Sequence, residues 1–189
     1  MPLISLVGSQ RPDSFNASAV TLIERALKSL GAASERAEWA NLALPLYSQV
    51  IELEQGLPEA AGDLRSRIKA ADGLIIGCPE YNGFMPPLLL NALTWATRNP
   101  QGHPDLSPFR LKPCLICASS PGSLGGIRAA GHLATYLLGI GASVYPDFFL
   151  IPNAFTTLGG NDESEQRKLS GRAEVIASGF LAQTRLQPG

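Results

Sequence analysis

Charge is scarce in this 189-residue chain: Asp, Glu, Lys and Arg make up 16% of it, and 15 basic residues face 16 acidic ones for a formal net charge of −1. That balance, with no basic run, lacks the electrostatic footprint of a nucleic-acid binder. Histidine is limited to His103 and His132, and cysteine to Cys78, Cys114 and Cys117. An odd cysteine count with no secretory signal does not make a disulfide framework. Cys114-x-x-Cys117 has the look of a redox or metal pair, but it lies in the apolar run Pro113-Cys114-Leu115-Ile116-Cys117-Ala118. That run reads as a buried strand, where residues three apart point to opposite faces, so the thiols diverge and no metal site is expected. No stretch reaches the ~18 apolar residues of a membrane span. The opening Met1-Pro2-Leu3-Ile4-Ser5-Leu6-Val7 has no basic region and is too short for a signal peptide. A cytoplasmic protein without membrane or nucleic-acid partners is the expectation.

What is abundant is apolar sequence, 45% of the chain, in short runs separated by turn formers. One globular domain over residues 1–189 is expected. Residues 3–7 form an apolar run ending at Gly8, the mark of a buried strand. Phe15, Ala19, Leu22, Ile23, Ala26, Leu27 and Leu30 then recur at helical spacing, and Gly31 stops that helix. Residues 34–40 read as a second strand nearer an edge. Pro58 opens a helix with Ala60, Ala61, Leu64, Ile68 and Ala71 on one face. Residues 74–78 and 112–119 are the third and fourth strands. A helix over 88–97 follows the third strand, and one marked by Ile127, Ala130, Ala134, Leu137 and Leu138 follows the fourth. Residues 98–109 have no period and read as a surface connection. A fifth strand spans 142–145 and extends at most to 150, and a last helix runs from about Asp162. Strand and helix thus alternate, which implies an α/β fold with a parallel sheet covered on both faces. Ligands in such sheets sit beyond the carboxyl ends of the strands.

The loops after strands one, three and four have unusual composition. The first is Gly8-Ser9-Gln10-Arg11-Pro12-Asp13-Ser14-Phe15-Asn16. It opens a helix, whose unpaired N–H groups and partial positive charge favour a phosphate, and Ser9, Ser14, Asn16, Ser18 and Arg11 add donors. It is neither a Walker A loop nor a G-x-G-x-x-G fingerprint. An ordinary helix cap by Ser14 or Asp13 accounts for the same residues. The second is Pro79-Glu80-Tyr81-Asn82-Gly83-Phe84-Met85-Pro86-Pro87. Its aromatics, its glycine and its amides suit a planar heteroaromatic ring. They equally suit a rigid turn with packed aromatics, and Glu80 reads as a capping or solvated carboxylate before a general acid. The third, Ser119-Ser120-Pro121-Gly122-Ser123-Leu124-Gly125-Gly126-Ile127-Arg128, permits a tight pass beside a ligand or serves as a plain strand-to-helix turn.

Through these three loops the chain resembles the NADPH-dependent FMN reductase family. A first signature of the form G-S-x-R-x-x-S-x-N is met by Gly8, Ser9, Arg11, Ser14 and Asn16. A second, P-E-Y-N-x-x-x-P-x-x-L-K-N-A-x-D-W, is met by Pro79, Glu80, Tyr81, Asn82, Pro86, Leu89, Asn91, Ala92 and Trp95. A third, S-P-G-x-x-G-G-x-R, is met by Ser120, Pro121, Gly122, Gly125, Gly126 and Arg128. The matches run in order from residue 3 to about 140. Leu90 stands where Lys is common, Thr94 where Asp is common, and Cys78 where Thr or Ser is expected.

The resemblance implies a flavodoxin-like three-layer α/β/α fold with a five-stranded parallel sheet in the order 2-1-3-4-5. It implies FMN as cofactor, with NADPH or NADH as co-substrate. Ser9, Arg11, Ser14, Asn16 and Ser18, with the amide of Phe15, would hold the phosphate. Pro79, Glu80, Tyr81, Asn82 and Gly83 would line the flavin ring, and Ser119, Ser120, Pro121 and Gly122 would flank it from the other side. Arg128 would serve helix or subunit contacts. The flavin carries the hydride chemistry, so no catalytic side chain is expected. The acceptor would be a small molecule: a flavin, quinone, azo compound or metal ion. A homodimer or homotetramer is implied, with the apolar helix 88–97 and the connection after it as candidate interface. A flavin carrier or interaction module without its own turnover is the alternative. An iron–sulfur flavoprotein would need a cysteine cluster that the sequence lacks.

Overall fold

The structure, a computed structural model, describes residues 2–38 and 43–186. The expected second strand reaches residue 40, so its last part lies outside the described residues. A parallel sheet forms the centre. Strand β1 (Pro2–Val7) is flanked by β2 (Ala33–Arg36) on one side and by β3 (Gly73–Gly77) on the other. Next to β3 comes β4 (Pro113–Ser119), and then β5 (Ser143–Val144), giving the order 2-1-3-4-5. A sixth strand, β6 (Phe149–Ile151), also pairs with β4.

The side chains of the central strands alternate between two cores, as the period of a strand requires. Ile4, Leu6, Leu74, Ile76, Cys114, Ile116 and Ala118 face one side. There they meet α3 (Glu59–Ala70), α4 (Pro87–Ala96) and α5 (Ile127–Gly139). Leu3, Val7, Ile75, Leu115, Cys117 and Phe149 face the other side. There they meet α1 (Phe15–Ser29) and α7 (Glu163–Arg185). Cys114 and Cys117 fall in different cores, as their spacing predicts. Each fully buried Leu or Ile contributes roughly 1.5–3 kcal/mol, so this double packing fixes the sheet, and with it the edge where the three loops emerge. Ser5 is the polar exception inside β1. Fully buried, it donates to Glu24 of α1 at 2.6 Å, which satisfies its hydroxyl.

The expected fifth strand is two strands. Cys114 of β4 pairs with Val144 and Cys117 pairs with Phe149, so three steps along β4 face five along the returning chain. Pro146 lies in the gap, has no N–H for the ladder, and forces the chain to bulge before pairing resumes. Two short helices escape the sequence reading: α2 (Gln49–Gln55) and α6 (Ala154–Gly159). The α2 helix turns Val50 and Leu53 outward and Glu52 inward, the reverse of an amphipathic pattern.

Candidate active site

The amino end of α1 carries the first loop. Ser14, not Asp13, is the cap: its hydroxyl accepts from the Ala17 N–H at 3.3 Å. Asp13 instead pairs with Arg11 at 3.2 Å on the surface, and this hydrogen-bonded partner holds its carboxyl below the usual range. The Ser9 hydroxyl accepts from the Arg11 N–H at 3.3 Å. The N–H groups of Phe15 and Asn16 have no partner among the described residues. They are the orphan donors of a helix start, open to an anion. Ser18 is exposed one turn on and bonds back to the Ser14 carbonyl at 3.4 Å. Phe15 places its ring edge-on to Phe155 of α6 at 5.0 Å, a contact that the sequence reading missed because α6 was not foreseen.

Asn16 departs from the expected ligand role. Its side-chain amide is buried and spent on Ser119: Nδ2 donates to the Ser119 carbonyl at 3.1 Å, and Oδ1 accepts the Ser119 N–H at 2.9 Å. Its backbone N–H at the helix start stays open to a ligand. In exchange, the first and third loops are joined by reciprocal bonds. The Gly8 N–H donates to the Gly77 carbonyl at 2.7 Å, and a Cβ on Gly8 would lie 3.2 Å from Pro79 and 3.1 Å from Leu89. A side chain there would wedge the first and second loops apart. The three loops expected from the sequence therefore converge on one edge of the sheet.

In the second loop, Tyr81 and Phe84 exchange both backbone hydrogen bonds, at 2.9 and 3.0 Å, around Asn82 and Gly83. These two have φ of 53° and 80°, the left-handed pair of a tight hairpin turn, which Asn-Gly adopts at least cost. The N–H groups of Asn82 and Gly83 have no partner among the described residues. Tyr81 and Phe84 are both partly exposed, and Phe84 stacks on His132 of α5 at 4.6 Å. Glu80 turns away from the tip. It takes Arg128 as ion-pair partner and accepts from the Ala129 N–H at 3.4 Å, the arrangement of a capping carboxylate. The Arg128 hydrogen bonds hold the Glu80 carboxyl below its ordinary range. Cys78 is buried, and desolvation pushes its thiol up to about 12, so it is no thiolate nucleophile at neutral pH.

In the third loop, Ser119 gives its hydroxyl to the Ile151 carbonyl at 3.1 Å, and Ser120 bonds locally to the Gly122 carbonyl at 3.3 Å. Gly126 has φ 85°, and a Cβ there would meet the Ala118 Cβ at 2.9 Å. The N–H of Gly122 has no partner among the described residues. The edge thus offers amide donors, hydroxyls, the exposed guanidinium groups of Arg11 and Arg128, and the aromatic rings of Tyr81 and Phe84. That donor set suits a phosphorylated, planar, polar-edged group. Among the described residues no cluster of His, Cys, Asp and Glu could hold a metal ion.

A sequence model of one family, described as NADPH-dependent FMN reductase, matches residues 1–156. The chain belongs to that family. Over 152 residues it is 36% identical to a quinone reductase of Escherichia coli (strain K12), which covers 78% of this chain and 76% of that one. Over 138 residues it is 34% identical to an NAD(P)H-dependent FMN reductase of Pseudomonas aeruginosa, with 72% and 69% covered. In fold it is similar to a flavoenzyme NAD(P)H:(acceptor) oxidoreductase from Paracoccus denitrificans, with a TM-score of 0.75 at 24% identity over 96% of this chain and 98% of that one. As a member of the NADPH-dependent FMN reductase family the chain is an NAD(P)H-dependent flavin oxidoreductase, with FMN as its cofactor and NAD(P)H as co-substrate. The flavodoxin-like fold expected from the three motifs is the fold observed, extended by β6.

Proposed function

We propose that the three joined loops hold FMN and that the enzyme passes electrons from NAD(P)H to a quinone. Ser9, Arg11, Ser14 and Ser18, with the N–H groups of Phe15 and Asn16, receive the phosphate. Pro79, Tyr81, Asn82 and Gly83 border one side of the ring with apolar surface and open amides, and Glu80 anchors that border from behind. Ser119, Ser120, Pro121 and Gly122 border the other side. Bound FMN supplies the site that takes hydride from NAD(P)H and returns electrons to the acceptor. The protein's own part is to bind, orient and exclude water, and the two exposed rings at the entrance suit a flat acceptor. The observation that carries this reading is the pair of open helix-start amides at Phe15 and Asn16, tied through Asn16 to the third loop. A quinone acceptor is favoured by the reactions for which the Escherichia coli relative and a 40% identical 2-hydroxy-1,4-benzoquinone reductase of Burkholderia are named.

Purified protein is expected to be yellow, to bleach under anaerobic NADPH and to recover its colour when a benzoquinone is added. Colourless protein that takes up no FMN ends this reading; colour that NADPH and NADH both fail to bleach favours the carrier alternative.

We also propose a cytoplasmic homo-oligomer; no described helix is long and apolar enough to cross a membrane. The face of α4 offered for that role is occupied within the chain, since Leu89, Ala92, Leu93, Trp95 and Ala96 are buried. The exposed apolar side chains nearby are instead Leu46, Val50 and Leu53, on the segment that covers α4. Light scattering of the wild type against Leu53→Glu distinguishes an assembly through that segment from one built elsewhere.

A further inference from the structure

The N-cap of α5 is Gly126, which has no side chain with which to cap. A carboxylate from a distant part of the chain takes that place. Glu80 Oε2 accepts from the Ala129 N–H in the first turn of α5, at 3.4 Å. Glu80 Oε1 accepts from Arg128 Nε at 2.9 Å and from Arg128 Nη2. The Glu80 side chain is 9% exposed and that of Arg128 60%, so the anion is inside and the cation covers it. An acidic group at a helix start is favoured by the orphan amides and by the helix dipole. One turn further along α5, His132 stacks on Phe84 at an interplanar angle of 43°. The hairpin 81–84 is therefore tethered to α5 on both sides of its tip, and the Arg128 guanidinium lies against Gly83, 4.0 Å from where a Cβ would stand. The Asn82-Gly83 turn fixes the shape of that hairpin by itself. It does not fix the direction in which the hairpin points; the tethers do.

We propose that Glu80 is a positioning residue: through Arg128 and the Ala129 amide it aims the 81–84 hairpin at the flavin, and so sets how firmly FMN is kept and how an acceptor enters, without exchanging a proton itself. The inference rests on the reading that this hairpin borders the FMN ring. It differs from that reading in what it predicts for protein without FMN.

The test uses Glu80→Gln, which keeps size and one acceptor but removes the charge, and Arg128→Lys, which keeps the charge but loses the fork. In FMN-free protein, hydrogen exchange at the Tyr81, Phe84 and Ala129 amides is expected to speed up about tenfold in Glu80→Gln, the loss of one charge-assisted bond, while amides of β1 and β3 keep their rates. The FMN dissociation constant, read by flavin fluorescence, rises about tenfold as well. The KM for benzoquinone rises by a larger factor than kcat falls. Arg128→Lys lies between Glu80→Gln and wild type in each measurement. It also carries the test should Glu80→Gln not fold, because Arg128 sits largely in solvent. Unchanged exchange in both variants overturns the tether. Faster exchange with unchanged FMN affinity and unchanged KM overturns its role in the site and leaves Glu80 a helix cap alone. Wild-type protein that binds no FMN ends the site reading and the functional half of this inference together, with the exchange rates still deciding the tether.

Discussion

Two ion pairs of the same composition each span α4 in sequence, glutamate before it and arginine after it, and differ in almost everything else. Glu52 of α2 and Arg98 meet at 2.7 Å with only 1% and 13% of their side chains exposed. The Tyr47 hydroxyl donates to the same carboxylate at 3.1 Å, Arg98 donates to the Gly102 carbonyl at 3.1 Å, and the guanidinium lies 5.7 Å from the centre of the Tyr47 ring. Further bonds, from Asn91 and Trp95 to the Pro45 carbonyl at 2.9 and 2.8 Å, fasten the same segment to α4. Glu80 and Arg128 have, besides each other's side chains, backbone amides of the first turn of α5 as partners of the carboxylate. A buried pair offsets its desolvation only when every lone pair and proton is satisfied. The Glu52 network comes nearer to that condition, with both carboxylate oxygens and two guanidinium nitrogens partnered, and gives position to a segment that has little apolar surface to bury. The Glu80 pair keeps its cation largely in water.

The largest expected effect breaks the buried pair. Arg98→Ala leaves Glu52 charged and uncompensated and is expected to destabilise the fold by about 3–5 kcal/mol in urea unfolding. A loss as small as that of Arg128→Ala would remove the contrast between the two pairs. Next comes Gly126→Ala, which places a Cβ against Ala118 in a left-handed backbone. It is expected to cost roughly 1–3 kcal/mol and to shift the melting temperature without altering the sheet's circular dichroism.

Arg11→Ala sharpens the comparison from the ligand side. Its ion pair with Asp13 is exposed, so stability changes by less than about 0.5 kcal/mol. FMN retention, by contrast, falls about tenfold in fluorescence titration, the loss of one charged contact to phosphate. Equal FMN affinity in that variant removes Arg11 from the phosphate site. The smallest effect is on pH. Hydrogen bonds from Arg98 and from Arg128 lower the folded-state values of Glu52 and Glu80 below the ordinary carboxylate value of 4.5. Their stabilisation is thus complete above that value and is lost as pH falls through the lower folded values. Acid unfolding of Glu52→Gln is expected to be shallower than that of wild type below pH 4.5, and a change of slope at neutral pH would contradict the assignment.

Much of the architecture was legible because period and punctuation agree: Leu3, Leu6, Leu74 and Leu115 lie in apolar runs closed by Gly or Pro, and the helices after them carry apolar residues on one side. The order of the strands came from motif resemblance, since periodicity alone does not arrange a sheet. The three loops were legible by composition, and their convergence follows from the parallel sheet. What could not be read was side-chain commitment. Asn16 is a good phosphate donor by type, yet its partner stands 103 residues away. Glu80 is a carboxylate in a promising loop, and nothing near it in sequence announces Arg128. Glu52 was invisible because α2 shows its apolar side chains to solvent. The break at Pro146 was written in the chain, but a short apolar run on each side of it masks the bulge.

The Asn16 amide has a consequence of its own. By giving a donor and taking a donor from one residue of β4, it copies what a peptide group does in a neighbouring strand, so the helix start is stitched into the sheet as if it were one more rung of the ladder. Few side chains can imitate a peptide in this way. Aspartate has no N–H to give and leaves the Ser119 carbonyl bare, while glutamine is one methylene too long for the gap. A forgery of the main chain by a single side chain lets a loop that must stay open to a ligand share the rigidity of the strand beneath it.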